Sequence, residues 1–439
     1  MEKLLKRVAE KVDQAEVYHV RKQSSPVNFY NWRQADVLHR NHDEVSLRVI
    51  KNGRIGVVKG SASDDLDWFV SSALRAAEVG PEVSFRFPSE SSAGCGGRIC
   101  DPELIDMKPE QMVKDAVAIY DSIRPQAPAL LLNLYLDNER TDVTILNTSG
   151  KNESYTKTQY TVSLLSMYEN SKEGINKEIT SCRYFRFPDD VIEELIAENA
   201  LSARHIRVPT RKMPVLFRSS STWSLLYRIL EGANGANKVR SVTPLKDKID
   251  TPIFGDQITL LDDPTMDWAP GSTPFDDEGV PTRTKVIVDK GVFRNFIYDL
   301  NFGSKSGTGS TGNGIKRSMW TRGIEVNPNP RFNNLVMQPG ELTVSEMIGM
   351  MDEGIIVNDV IGFHSGNILQ GQYSMNVGIG FYVKNGVIAG RAVDTMIAGN
   401  IYEDFHRITG LGKTLAVNPI AYSPDILIDG VSVSGTGEL

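Results

Sequence analysis

The chain has 439 residues, of which 40% are hydrophobic and 23% charged, with a net charge of -7. That length exceeds one ordinary core, and that composition is the composition of a folded protein rather than a disordered or fibrous one. The acidic balance excludes nucleic acid as a default partner, because phosphate binding needs a concentrated excess of Lys and Arg.

Three cysteines, Cys95, Cys100 and Cys182, are too few and too irregular for a disulfide scaffold, and GCGGRIC lacks a second ligand pair at zinc-finger spacing. No run approaches the roughly 20 apolar residues that span a bilayer, so the expectation is a cytoplasmic chain without membrane contact.

In chain order, MEKLLKRVAEKVDQ sets Leu4, Leu5, Val8 and Val12 on one helical face. Charge interrupts it every few positions, which excludes a secretory signal. Residues 44–60 form two β-rich runs around Asn52-Gly53, the strongest short hairpin signal. A helix follows with Leu66, Phe69, Val70, Ala73, Leu74 and Ala77 on one face, capped by Ser63 or Asp64 and ended by Gly80-Pro81. Residues 86–108 are rich in Ser, Gly and Pro, as a linker is. Helices at 109–123 and 189–203 bracket the β-rich LLLNLYLDN and SYTKTQYTVSLLSMYE, whose Asn, Asp and Gly turns imply antiparallel pairing. The basic run Arg204, Arg207, Arg211, Lys212 reads as a solvated loop beside a strand.

From 211 onward strand and loop dominate. WSLLYRILEG, residues 223–232, is a short apolar helix. TKVIVDKGVFRNFIYDL and GFYVKNGVIAGRAVD repeat the hairpin pattern, and a capping box at Thr343 and Glu346 opens a Met-rich helix that stops at Gly354. The expected fold is α+β, with predominantly antiparallel sheets and flanking helices. The expected division is an N-terminal α/β segment at 1–85, a linker at 86–108, a central α+β domain at 109–210 and a large β-rich C-terminal domain at 211–439.

Candidate chemistry is sparse. His39 and His42 sit in a turn entering a strand, while Glu403 and His406 match a di-metal pair but lack the second helix that such a site needs. GTGSTG, residues 307–312, fits G-x-G-x-x-G, yet the strand-like FIYDL ends at Leu300 and another glycine stands where a helix should begin. No G-x-S-x-G elbow and no His-Glu dipeptide occur, which excludes the common serine and zinc hydrolase motifs.

FDDEGVPTRTKVIVDKGVFRNFIYDL (275–300) and STGNG (310–314) with Arg317 resemble the DxEGxPT-then-hairpin signature and the glycine-rich loop of the TldD/PmbA family. Residues 380–405 resemble its C-terminal "AGN" stretch, and AEVYHV with LRVIKNGRIG fits its first segment. The resemblance implies two kinds of subunit. TldD-type chains are metallopeptidases with H-E-x-x-x-H, then L-E-G, and a C-terminal Cys ligand. PmbA or TldE-type chains keep the fold without those ligands and pair with the first kind.

Aligning Leu230-Glu231-Gly232 with L-E-G puts Trp223, Ser224 and Arg228 at the two His positions and the Glu between them. Trp offers no lone pair, Ser cannot replace a carboxylate base, and Arg repels a dication. No Cys follows Cys182. The resemblance therefore implies a non-catalytic subunit with no catalytic residue of its own, and zinc only in a TldD-type partner. It implies a heterodimer, or a homodimer in isolation, acting on flexible peptides held by strand addition. Asn313, Arg317 and His364 are the expected chamber-lining residues. Trp223 and Arg228 either line the lapsed pocket, with Arg228 on a carboxylate, or serve as a core residue and a surface ion pair. Two alternatives remain open: an active metallopeptidase using His364 and His406, and a regulator of gyrase-related functions.

Overall fold

Alternation along residues 130–168 produces the longest hairpin of the molecule. Strand Leu130–Asn147 pairs antiparallel with Asn152–Tyr168 over seventeen consecutive partners, from Leu130 opposite Tyr168 to Leu146 opposite Asn152. One face carries Leu130, Leu132, Leu134, Leu136, Tyr160, Val162 and Leu164, all buried. Helices Pro109–Ile123 and Asp189–Leu201 cover that face. The other face carries the polar alternates, and this two-sidedness is what an antiparallel sheet with one buried face requires. The computed structural model describes residues 1–168, 174–318, 321, 323–418 and 421–437.

The hairpin sits within an eight-stranded sheet. Gln14–Ser24 and Val27–Tyr30 both pair with Leu130–Asn147, and Arg40–Lys51 with Arg54–Ser61 extends the sheet. Asn52 and Gly53 turn that last pair with φ of 52° and 73°, the left-handed conformations that a tight hairpin needs. Helices Glu2–Ala9 and Leu66–Val79 close the apolar face at this end. The 86–108 stretch thus connects strands of one sheet, and hydrogen bonds run across it instead of stopping at it.

A second eight-stranded sheet gathers the C-terminal strands. Five of them close into a ring: Glu353–Ile361, Arg211–Phe217, Ile426–Ser434, Met396–Asn400 and Gln372–Lys384, the last returning to the first. Its residues Leu216, Ile356, Phe381 and Leu427 share a core with the helices over the first sheet. A smaller six-stranded sheet holds Leu260–Asp262, Lys285–Asp289 and Leu335–Met337. The fold is α+β with mostly antiparallel sheets. Among the described residues no helix is long and apolar enough to cross a membrane.

Two expected elements differ. FIYDL is not a strand: the hairpin ends at Phe293, and Asp299 caps helix Leu300–Ser306 by accepting the Phe302 N–H. Gly307 ends that helix with φ of 76°, so the first glycine of GTGSTG is a C-cap. The Met-rich helix is shorter than expected, Val344–Gly349, though its capping box is formed as written.

Candidate functional site

The WSLLYRILEG stretch belongs to helix Ser219–Gly232, which begins four residues before it. Leu225, Leu226, Ile229 and Leu230 pack in one core with Phe217, Val357, Ile397 and Ile428. The helix is buried on nearly every side, which forces its polar residues to find protein partners. Ser221 donates to the Val357 carbonyl and Ser224 to the Ser221 carbonyl, each at 2.7 Å.

Arg228 is fully buried, neither the carboxylate partner nor the surface ion pair expected for it. Its guanidinium donates to four backbone carbonyls: Ser224 at 2.5 Å, and Gln372, Phe363 and Ser365 at 2.9 Å each. Phe363 and Ser365 lie on the loop that folds over the helix, and Gln372 opens the strand that follows it. Burial lowers its pKa to about 10, yet the group keeps its charge at neutral pH. The planar fork of Arg suits this, since its donors diverge toward acceptors that no single ammonium could reach together. Glu231, one turn further, pairs with Arg331 at 2.5 Å.

This donor set does not fit zinc. Arg228 presents a fixed cation, Ser224 is committed to its own helix, and Trp223 packs on Phe363 with ring centroids 4.6 Å apart. His364 and His406 are both exposed, and among the described residues no three His, Cys, Asp or Glu side chains converge to hold a metal.

Trp223 does face open space. It lines a cavity of about 910 Å³ between the polar face of the first sheet and the C-terminal half. Tyr18, Tyr135, Asp137 and Tyr155 form the sheet side. Trp223, Arg317, Asn358 and Asp359 stand across from them. Arg317 is thus one of the residues on the wall. Asn313 is not: it is fully buried, donating to Asp262 Oδ2 at 2.7 Å and to the Arg331 carbonyl at 2.8 Å. His364 is likewise off the wall, on the loop that Arg228 holds. Ser224 and Arg228 lie behind Trp223 in the core.

A buried charge network joins the two sides of the cavity. Arg48 bridges Glu16 at 2.8 Å and Glu278 at 2.7 Å, linking the first sheet to the DDEG turn. Tyr18 donates to Asp277 at 2.9 Å, and the Lys316 ammonium lies 4.1 Å over the Tyr18 ring. Burial and the neighbouring Arg48 lower the Lys316 pKa to about 8. Burial and the Glu278 charge raise Asp299 to about 7 and push Asp276 well above the carboxylate range. None of these residues was singled out as a site from the sequence. A signal existed, because Glu16 and Arg48 interrupt apolar strand runs and face each other in register.

The PmbA/TldA metallopeptidase C-terminal domain matches residues 210–435. The chain is 25% identical over 384 residues to a metalloprotease of Archaeoglobus fulgidus, covering 85% of each. It is also 25% identical over 303 residues to a metalloprotease PmbA homolog of Haemophilus influenzae, covering 68% of this chain and 64% of that one. The crystal structure of TldE from Thermococcus kodakarensis superposes with a TM-score of 0.88 at 23% identity, over 99% of this chain and 100% of that one. The chain belongs to the PmbA/TldD family.

Proposed function

We propose that this chain is a non-catalytic TldE-type subunit that completes the peptide chamber of a metal-bearing TldD-type partner. The observation that carries this is Arg228: a buried guanidinium, fixed by four carbonyls, stands where the family's metallopeptidase motif has a histidine. A cation at that position repels zinc, Trp223 offers no lone pair, and Ser224 cannot replace the carboxylate base. The cavity, with a polar sheet face opposite Trp223, supports the binding half of the proposal, because an extended peptide needs a long wall with polar and aromatic contacts. Zinc belongs to the partner in this scheme, and the chain alone forms at most a homodimer.

The test is co-expression with a TldD-type chain from the same cell, followed by metal analysis and peptidase assay of each part and of the mixture. Activity confined to the mixture, and lost when the partner's motif histidines are replaced, is the expected result. Stoichiometric zinc and peptidase activity in this chain alone would refute it.

A further inference from the structure

We infer that the Trp223 end of the cavity is a subsite for a cationic group of a bound peptide, an alkylammonium or guanidinium held by the Asp359 carboxylate and the Asn358 carboxamide oxygen. This rests on the chamber proposed above and specifies what one end of it selects.

In a regular strand Asn358 and Asp359 would point to opposite faces. Here both line the cavity, because the pairing of Glu353–Ile361 with Gln372–Lys384 shifts register on either side of Asp359. Such a bulge re-aims side chains, and bulges cluster at binding sites for that reason. Asp359 opens onto the cavity, yet the walls desolvate it enough to raise its pKa against the opposing hydrogen bond from the Val360 N–H. Among the described residues no cation stands within ion-pair reach of it.

Asn358 is 7% exposed, and its amide N–H donates to Glu198. That leaves its Oδ1 buried with no hydrogen-bond partner. A buried acceptor without a donor is costly unless a ligand supplies one.

The surroundings are acidic as well. Lys177 bridges Glu194 and Glu198, and Arg218 bridges Glu194 and Asp425. That chain sets two cations against three carboxylates, and Asp359 adds a fourth. The Trp223 indole supplies an aromatic face on the same wall, which favours a cation over a neutral side chain.

The experiment is fluorescence anisotropy on the full chain with flexible Ala/Ser/Gln peptides of about ten residues, labelled and amidated at the C-terminus. One set is N-acetylated and carries a central Lys or norleucine. A third peptide carries norleucine with a free N-terminal amine. The acetylated Lys peptide is expected to bind about tenfold more tightly than its norleucine twin, and Asp359→Asn to remove that gap while leaving norleucine affinity unchanged. If the free amine restores affinity to the norleucine peptide, the N-terminus is the cation received. Equal binding of Lys and norleucine peptides overturns the subsite and leaves the chamber standing. A gap that persists in Asp359→Asn overturns the role of that carboxylate. Failure of every peptide to bind overturns the chamber and the subsite together.

Discussion

Arg228 is a buried charge held entirely by backbone carbonyls. Its guanidinium ties helix Ser219–Gly232 to the Phe363 and Ser365 carbonyls and to the Gln372 carbonyl, so removing it costs four charge-assisted hydrogen bonds at once. Arg228→Met keeps the volume and loses the donors, and is expected to cost about 3 kcal/mol, measured as a shift in the urea midpoint. Arg228→Lys should recover only part of that, since one ammonium cannot span carbonyls on both loop and helix. A loss below about 1 kcal/mol for the Met variant would mean that water satisfies those carbonyls instead. Lys316 makes a second residue-level prediction. Its folded pKa of about 8 lies below the 10.5 of the unfolded chain, so between those values the unfolded state binds more protons. Stability contributed by Lys316 therefore rises with pH from about 8 to 10.5. Lys316→Met should flatten that rise in urea midpoints taken across the window. Asp299 acts with the opposite trend: its folded pKa of about 7 is above 3.8, so its contribution falls as pH climbs between them.

At the scale of elements, local chemistry in the sequence was a good guide wherever the element is self-contained. The Asn52-Gly53 turn, the 109–123 helix and the Thr343 capping box each declare themselves through a few adjacent residues. Thr343 accepts the Glu346 N–H at 3.2 Å, and Glu346 accepts the Thr343 N–H at 2.8 Å. Thr343→Ala is expected to cost about 1 kcal/mol, while Thr343→Ser retains most of it; thermal melts of the two variants give the comparison. FIYDL failed because its apolar content reflects burial under the C-terminal core, not strand pairing. Tyr298 and Ile297 are both buried there in irregular backbone. The site was legible only in part. The L-E-G register left Trp223 open between pocket and core, the glycine-rich loop pointed to Arg317, and Asn358 and Asp359 reach the cavity through a bulge, which no alternation pattern announces. Asn313 looked like a loop residue because glycines flank it, and only the fold reveals that Asp262 draws it inward.

For the whole molecule, the continuity of sheet and core matters more than the composition of the 86–108 stretch. Strand Leu130–Asn147 takes neighbours from before that stretch and from after it, and the core over it includes Leu216, Ile356 and Leu427. Segments that share hydrogen bonds and apolar contacts to this extent unfold together. Calorimetry of the isolated chain is expected to show one cooperative transition with matching van't Hoff and calorimetric enthalpies. A separate early transition for the first hundred residues would contradict it.

The carbonyl cradle around Arg228 also has a bearing on how the chain is made. A pocket organised by a diffusible ion takes its final shape only when that ion is supplied, and loses it to any stronger binder. Here the organising charge is part of the polypeptide. The loop over helix Ser219–Gly232 is therefore set once folding ends, whatever the cell's metal supply. Dialysis of the isolated chain against a chelator should leave its melting temperature unchanged.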